Sequence, residues 1–202
     1  GGRRDMPDLV GADMPHVLSG DDMRNMLLGH KSDQLQRKIG LGTRLAMQVG
    51  ASTGLTANLD FVRKASRTWM PLGRNVVIVG GELVGLELAE FLHERGRHVS
   101  VLEPATRLGR GLTLVRRMRL LSELKEHGVA LHGGVAGIAI SEKAVAFTDE
   151  AGASQTIDAD HVIVAMGATG DAGLAERLRA QGFVVETVGD CNGIGYIEGA
   201  IR

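Results

Sequence analysis

The chain has 202 residues, with 23 basic and 24 acidic side chains and a formal net charge of −1. That balance gives no electrostatic reason to expect nucleic acid or an anionic membrane as a partner. Hydrophobic residues make up 44% of the sequence, enough for a packed core, and the apolar runs are too short to span a bilayer. No secretory signal is visible, so we expect a soluble protein in the cytoplasm.

Cysteine and glycine usage narrow the class further. Cys191 is the only cysteine, which excludes a disulfide framework, a four-cysteine zinc site and an internal redox disulfide. We expect it to be a buried structural residue, because the neighbouring Asp190 carboxylate disfavours a thiolate nucleophile. The 29 glycines show no collagen-like period and indicate turns and close backbone approaches in an α/β protein.

The first third of the chain lacks the pattern of a parallel sheet. Residues 1–30 carry turn signals and little periodicity, which predicts an extended connector, with Ser19 capping a short helix that ends at Gly29. Residues 31–72 present two apolar helical faces separated by a glycine-containing turn. They predict a helical hairpin, inserted before the main domain and closed against it by Trp69–Met70.

Residues 73–166 have the pattern of a three-layer α/β domain. The apolar run Val76–Val79 is typical of a strand buried on both faces. A helix over Leu83–Arg95 follows it, with either Ala89 or Glu90 on the apolar face and Gly96 as its stop. A second buried strand over Val99–Leu102 comes next. Together these segments predict a β-turn-α-β unit of about thirty residues.

The remaining elements complete this domain. Another helix is marked by Val115, Met118, Leu121 and Leu124 and is stopped by Gly128, and a third strand begins at Val129. Three short alternating segments separated by turns then predict a small antiparallel meander. A last parallel-type strand is expected at the end of the domain. These four segments are 135–140, 144–147, 155–157 and 162–165.

A glycine-rich turn stands between the first strand and its helix, with the sequence Gly80-Gly81-Glu82-Leu83-Val84-Gly85. In dinucleotide-binding folds the first glycine makes the turn, the second lets the diphosphate approach the backbone and the third lets the helix pack on the strand. Gly80 and Gly85 fill the first and third places, whereas Glu82 fills the second. A carboxylate about 4 Å from a phosphate charge would cost on the order of 4 kcal/mol at an effective dielectric of about 20, unless water or rotation of the side chain relieves it.

The end of the second strand supplies a candidate ribose ligand. Glu103 lies 23 positions after Gly80, near the spacing expected for a carboxylate that binds the adenosine ribose. Such a carboxylate favours NAD over NADP, although Arg107 and Arg110 lie close enough in sequence to weaken that preference. The alternative is that Glu103 is only a solvated residue at the end of a strand.

From Arg74 to Arg202 the sequence resembles the two-dinucleotide flavoprotein oxidoreductases with a glutathione-reductase-like fold. The likeness is carried by Asn75–Glu90, Val99–Glu103, Ala165–Ala168, Thr187–Cys191 and Gly195–Ile201. Within these enzymes it is most similar to the C-terminal region of the group that contains 2,4-dienoyl-CoA reductase, trimethylamine dehydrogenase and NADH:flavin oxidoreductase.

The resemblance implies a role for each segment. It implies that 73–166 is a Rossmann-like NAD(P)-binding domain inserted into an FAD domain, with residues 1–30 ending the first FAD segment and 167–202 belonging to the second. Gly167, Gly189 and Asp190 stand where the family contacts its flavin.

The resemblance also implies what else a complete enzyme would need. The chain lacks the N-terminal unit that holds most of the FAD, and it lacks the barrel domain and cysteine cluster that the most similar group uses for FMN and an iron–sulfur centre. We therefore expect a fragment that is inactive alone, whose apolar surface drives association into homo-oligomers.

Other chemistry-bearing residues have simpler interpretations. The seven histidines show no metal-ligand spacing, and His93, His98 and His127 are expected on the surface. The three arginines of the segment 116–119 are expected to form the solvated face of a helix.

Three functional hypotheses remain. The first is the nucleotide-binding segment of a flavoprotein in which FAD exchanges reducing equivalents with NADH or, less favourably, with NADPH. Its partners are the nicotinamide nucleotide and the rest of the flavoprotein, and it names no catalytic side chain. The residues involved in binding the nucleotide are Gly80, Gly81, Glu82, Gly85 and Glu103. The second is a scaffold that has lost nucleotide binding through Glu82. A third, a methyltransferase, is disfavoured by the meander and by the glycine patterns that follow it.

Overall fold

A computed structural model describes residues 2–4, 6–20, 22–23, 70 and 72–193. The chain forms two compact units, one made of Gly1–Pro7 with Met166–Arg202 and the other of Asp8–Ala165. The predicted helical hairpin at 31–72 lies outside the described residues except at its last positions, and so does the predicted helix end at Gly29. The boundaries assigned to the domains from sequence stay predictions.

The larger unit is built around a five-stranded sheet in which every neighbouring pair is parallel. In spatial order its strands are β2 (Val17–Ser19), β9 (His161–Val164), β3 (Asn75–Val79), β4 (His98–Glu103) and β5 (Ala130–Gly133). The predicted α/β class with a parallel sheet is confirmed. Strand β2 lies in a segment where the sequence predicted only an extended connector.

The central strands are apolar because both faces of the sheet are covered. Val76–Val79 are all buried, as are Val162–Val164 on the neighbouring strand. Continuous runs of β-branched residues suit this environment, since each face of a parallel sheet packs against other elements. The strands thus provide a rigid support for the loops at their carboxyl ends.

Two helices are described over their full length in this unit, α1 (Leu83–His93) and α2 (Leu114–Glu126). Helix α1 buries Leu86, Ala89 and Leu92 at helical spacing, so Ala89 rather than Glu90 completes the apolar face. Each helix is followed by a glycine with positive φ, Gly96 at 72° and Gly128 at 79°, as the sequence predicted for the end of each helix.

Helix α2 differs from its predicted packing in its first half. Leu120 and Leu124 are buried, whereas Val115 and Met118, which the periodicity assigned to the apolar face, are exposed. The apolar spacing continues through the helix, but only its carboxyl-terminal half is covered. Its amino-terminal turns therefore present apolar side chains at the surface of the described structure.

The predicted antiparallel meander is also confirmed. It consists of β6 (Ala136–Ile140), β7 (Ala144–Thr148) and β8 (Ser154–Asp158), with β7 in the middle. The β7–β8 turn is held by Asp149, whose Oδ1 accepts the N–H groups of Ala151 and Ala153.

The described residues of the smaller unit form a two-stranded antiparallel sheet and two short helices. Strand β1 (Gly2–Arg4) pairs with β10 (Ala168–Gly170). Helix α3 (Gly173–Ala180) and a 3-10 helix (Gly189–Asn192) follow. No helix among the residues described in either unit is long and apolar enough to cross a membrane.

The helix cap predicted at Ser19 is present. The Ser19 hydroxyl oxygen accepts the Asp22 N–H at 3.1 Å, and the Asp22 carboxylate accepts the Ser19 N–H at 3.0 Å. This reciprocal pair is a capping box, which satisfies two donors at the start of a helix. The capping role predicted for Ser19 is thus confirmed.

Candidate nucleotide-binding site

The candidate site lies at the carboxyl ends of β3 and β4. From β3 the chain runs outward to β4 and β5, and it later returns to β9 on the other side of β3. In open α/β sheets such a reversal of strand order opens a crevice outside the carboxyl ends of the strands, where ligands bind. Gly80 directly follows β3, and Glu103 is the last residue of β4.

The turn between β3 and α1 requires glycine at its first and third places. Gly80 has φ of 118°, a left-handed conformation that other residues rarely adopt, and its N–H donates to the Leu102 carbonyl at 2.8 Å. A Cβ at Gly85 would overlap the Gly80 carbonyl oxygen. The two glycines therefore perform the turning and close-packing roles that the motif assigns to them.

Gly81 and Glu103 are joined directly. The Gly81 N–H donates to Oε2 of Glu103 at 2.6 Å, and the Ala105 N–H donates to Oε1 at 2.8 Å. Glu103 is only 5% exposed, so the alternative of a solvated strand-end residue is wrong. A Cβ at Gly81 would come within 2.9 Å of the Glu103 Cβ, which explains why a glycine stands there.

Glu82, the residue in the second glycine place, is the N-cap of α1. Its φ of −83° and ψ of −169° are ordinary extended values, so its backbone does not require glycine. Its Oε1 atom lies 3.1 Å from Nη2 of Arg110 in an ion pair. The negative charge that the sequence places beside a diphosphate is thus paired with a positive one.

The segment that carries Arg110 is fastened to the glycine turn. The Gly109 N–H donates to the Gly81 carbonyl at 2.7 Å, and Nε of Arg117 donates to the Leu108 carbonyl at 2.6 Å. We call residues 104–113 the cover loop, because its backbone bonds to the turn that follows β3. Sequence spacing pointed to Glu103 but contained no signal for the contacts of this loop.

The flavin-site candidates lie in the smaller unit. Gly167 and Gly189 both have positive φ, 88° and 68°, and Asp190 lies in the 3-10 helix. A Cβ at Gly170 would come within 2.6 Å of the Cys191 carbonyl oxygen, so β10 packs closely on this helix. Cys191 is partly exposed rather than buried as expected, and its thiol contacts the Val188 carbonyl at 2.9 Å.

The histidines and the basic segment of α2 show no contact with Gly80, Gly81 or Gly85 among the described hydrogen bonds and ion pairs. His98 and His127 are exposed and His93 is half-buried; the rings of His93 and His127 stack with centroids 5.1 Å apart. Among the described residues, no group of three or more histidine, cysteine, aspartate or glutamate side chains could hold a metal ion. In the basic segment of α2, Arg116 and Arg119 are exposed as expected and form ion pairs with Glu87 and Glu123. The prediction is wrong for Arg117, which is half-buried because it bonds to the Leu108 carbonyl of the cover loop.

The sequence did not single out a pair of histidines at the amino ends of β9 and β2, the ends of the strands opposite to the glycine turn. His161 begins β9, and His16 directly precedes β2. The pKa of His161 is lowered, mainly by burial and then by the nearby His16, while Asp160 opposes the shift. The Gly73 N–H donates to Nδ1 of His161 at 3.0 Å, which requires that nitrogen to be unprotonated.

The whole pattern identifies the family. A profile of the pyridine nucleotide-disulphide oxidoreductases matches residues 42–194, about three quarters of the chain. The chain belongs to this family. FAD and a pyridine nucleotide are the cofactors that membership implies.

Several curated proteins are similar over about three fifths of this chain. Bilirubin reductase of Mediterraneibacter gnavus (strain CC55_001C) is 34% identical over 123 residues, which are 61% of this chain and 19% of that protein. NADH oxidase of Thermoanaerobacter brockii is 28% identical over 127 residues, covering 62% and 20% of the two proteins. Dihydrolipoyl dehydrogenase of Pseudomonas aeruginosa is 32% identical over 123 residues, covering 60% and 25%. The chain thus matches about a fifth to a quarter of the length of these oxidoreductases.

Solved structures share the fold. 2-Naphthoyl-CoA reductase, in complex with 2-naphthoyl-CoA, superposes with a TM-score of 0.63 at 23% identity, covering all of this chain and 24% of that one. The 6-hydroxypseudooxynicotine amine oxidase of Pseudomonas geniculata N1 gives a TM-score of 0.62 at 20% identity, covering 99% and 25%. These likenesses confirm the fold class predicted from the sequence.

Proposed function

We propose that this chain supplies the nicotinamide-nucleotide-binding domain of a flavin-dependent oxidoreductase, together with part of the flavin domain. Within the family, the proposal favours the group that contains 2,4-dienoyl-CoA reductase and NADH:flavin oxidoreductase. In such an enzyme the cofactors carry out the redox step, while the protein binds and orients them. We assign no catalytic side chain.

The observation that carries this proposal is the glycine turn at the reversal point of the sheet. Gly80 turns the chain and Gly85 lets α1 approach, so the amino end of an eleven-residue helix lies next to the carboxyl end of β3. The first N–H groups of a helix and its partial positive charge suit a diphosphate. The residues present fit a dinucleotide, with Gly80, Gly81, Glu82 and Gly85 closest to its phosphates.

Glu103 is the proposed ribose ligand. Its two carboxylate oxygens accept one backbone N–H each, and a carboxylate oxygen has a second acceptor site. A ribose hydroxyl could use that second site only if the cover loop exposes it, because the side chain is buried. This role favours NADH over NADPH, since a 2′-phosphate would meet the carboxylate charge.

For FAD, the proposed contacts are Gly167, Gly189 and Asp190 of the smaller unit. The close packing of Gly170 on the 3-10 helix gives the flavin a fixed backbone surface in this unit. FMN and an iron–sulfur cluster are proposed only for other parts of a longer protein, because one cysteine in 202 residues does not make a cluster site. The rest of the flavoprotein and a second copy of the chain are the proposed protein partners.

Titration calorimetry of the chain with NADH and, separately, with NADPH tests the proposal. We expect a dissociation constant in the micromolar range, with NADH bound more tightly. A folded sample that binds neither nucleotide would contradict the proposed function. If NADPH binds as tightly as NADH or more tightly, only the ribose role of Glu103 is contradicted, and the nucleotide-binding function stands.

A second function, that of a non-catalytic scaffold, is favoured by the carboxylate of Glu82 in the second glycine place. If Glu82 alone has abolished nucleotide binding, Glu82→Gly should create NADH binding that the unsubstituted chain lacks. A variant that stays folded and still binds nothing would show a wider loss of the site.

A further inference from the structure

The ion pair between Glu82 and Arg110 crosses the phosphate turn, and it joins the residue in the second glycine place to the cover loop. We propose that Arg110 binds the diphosphate of the nucleotide and that Glu82 holds its guanidinium in place until the nucleotide arrives. On binding, Arg110 exchanges a carboxylate partner for a phosphate. This inference rests on the proposed function and assigns a residue to its diphosphate site.

The backbone around Arg110 is fixed close to the turn. Gly109 and Gly111, on either side of it, have φ of 68° and 82°, so the chain reverses sharply at this point. The Gly109 N–H donates to the Gly81 carbonyl at 2.7 Å, one residue before Glu82. Arg110 therefore directly follows a residue, Gly109, that is bonded to the glycine turn, and its guanidinium lies at the amino end of α1.

Stability does not explain this pair. The Arg110 and Glu82 side chains are 61% and 44% exposed, and ion pairs between exposed side chains contribute little to the free energy of unfolding. The pair holds two long side chains beside a helix amino end, where an anion is favoured electrostatically. An arrangement that is weak in itself yet placed at an anion site suits an exchangeable counter-ion.

Chemistry supports the exchange. A guanidinium presents a planar set of N–H donors that matches carboxylate and phosphate oxygens alike, so Arg110 can hold either. With Arg110 present, the net charge of the Glu82–Arg110 pair is zero, and the diphosphate does not meet an uncompensated carboxylate. The Glu82 side chain is 44% exposed, so it has room to turn outward.

Four variants test the proposal by titration calorimetry with NADH and with NADPH. Arg110→Ala is expected to weaken both nucleotides roughly tenfold or more, because a charge-assisted contact is lost and Glu82 is left uncompensated. Glu82→Gln should tighten both by releasing the guanidinium. The matched control is Arg119→Ala, which removes an arginine and breaks its exposed ion pair with Glu123 on α2. The double variant Glu82→Gln/Arg110→Ala should bind more weakly than Glu82→Gln alone, since Glu82→Gln keeps the contact of Arg110 with the diphosphate and the double variant lacks it.

Each outcome has a distinct meaning once circular dichroism shows that the variants are folded. If Arg110→Ala binds NADH as Arg119→Ala does, the inference is wrong while the proposed function stands. A loss confined to NADPH would place Arg110 at the 2′-phosphate and overturn the diphosphate role. Failure of the unsubstituted chain to bind either nucleotide would instead remove the proposed function on which the inference rests.

Discussion

The Gly81 N–H donates a hydrogen bond of 2.6 Å to Oε2 of Glu103, which connects the turn after β3 to the end of β4. The other carboxylate oxygen accepts the Ala105 N–H at the start of the cover loop. One buried side chain therefore fixes both backbone segments that border the crevice. Whatever Glu103 does toward a ribose, its carboxylate also shapes the site in the absence of a ligand.

Replacing Glu103 by glutamine should reveal this structural role. An amide has one oxygen, so one of the two N–H groups would face an NH₂ group and lose its acceptor. Leaving a buried donor unsatisfied costs about 1–3 kcal/mol, and we expect a loss of that size in the free energy of unfolding measured with urea. The control is Glu142→Gln at an exposed position, which should change it by less than about 0.5 kcal/mol. Equal changes in the free energy of unfolding for the two variants would contradict this structural role of Glu103.

The close approach of α1 to the glycine turn gives a second prediction. Gly85→Ala places a Cβ on the Gly80 carbonyl oxygen, so the turn or the helix must move. We expect a loss of about 3 kcal/mol in the free energy of unfolding, at the upper end of overpacking effects, and a loss of NADH binding.

Gly128→Ala is the matched control for this prediction. Its Cβ would meet no atom within 4 Å, but its φ of 79° is unfavourable for alanine. It should cost only about 1 kcal/mol and leave NADH binding unchanged. If Gly85→Ala keeps full NADH affinity, the turn does not position the nucleotide.

Much of this fold was predictable because its signals are local. The run Val76–Val79, the apolar spacing of α1 and the glycine after each helix each lie within a few residues, and their physical reasons are visible in the sequence. Strand β2 was missed because three residues carry no periodicity. It is a strand only by pairing with β9, which lies far along the chain.

The site divides in the same way. The glycine places and the spacing to Glu103 were predictable, because one βαβ unit fixes both. The burial of Glu103 and the ion pair of Glu82 with Arg110 were not, since they depend on how the cover loop returns over the turn. Similarly, the exposure of Val115 and Met118 depends on where α2 meets the sheet, which helical spacing does not specify.

The half-buried histidine at the amino end of β9, His161, predicts a pH dependence of stability. The pKa of His161 is lower in the folded chain than its ordinary value, because burial and His16 disfavour the charged form. The unfolded chain therefore binds more protons as the pH falls, and the free energy of unfolding should be highest above about pH 6.5 and decline below it, through the folded pKa.

His161→Asn tests this prediction, because the asparagine carbonyl can still accept the Gly73 N–H. The decline between about pH 7 and pH 5 should be smaller in the variant than in the unsubstituted chain. At about pH 8 the imidazole is neutral in both states, so any difference there reports lost packing alone. His132, whose pKa is also lowered mainly by burial, remains in both proteins and contributes equally. Parallel curves over the whole range would exclude His161 as the source.

Exposed apolar side chains of the smaller unit lead to the last prediction. Phe183, Val184 and Val188 are largely exposed, and Val184 is fully so. Clustered apolar exposure of this kind favours association, so light scattering should show a mass above that of a monomer that falls on dilution. Replacing all three by serine should shift the chain toward the monomer.

The larger unit offers a control of equal size. Replacing three exposed residues of α2 by serine removes apolar surface from that unit and leaves the smaller one unchanged; these are Leu114, Val115 and Met118. If this control dissociates the oligomer and the first variant does not, association uses α2 rather than the smaller unit. If the unsubstituted chain is monomeric, association through either surface is contradicted. These apolar side chains would then remain exposed to solvent in the isolated chain. In a longer flavoprotein the same residues of the smaller unit would then be the first to examine for contacts with the rest of the flavin domain.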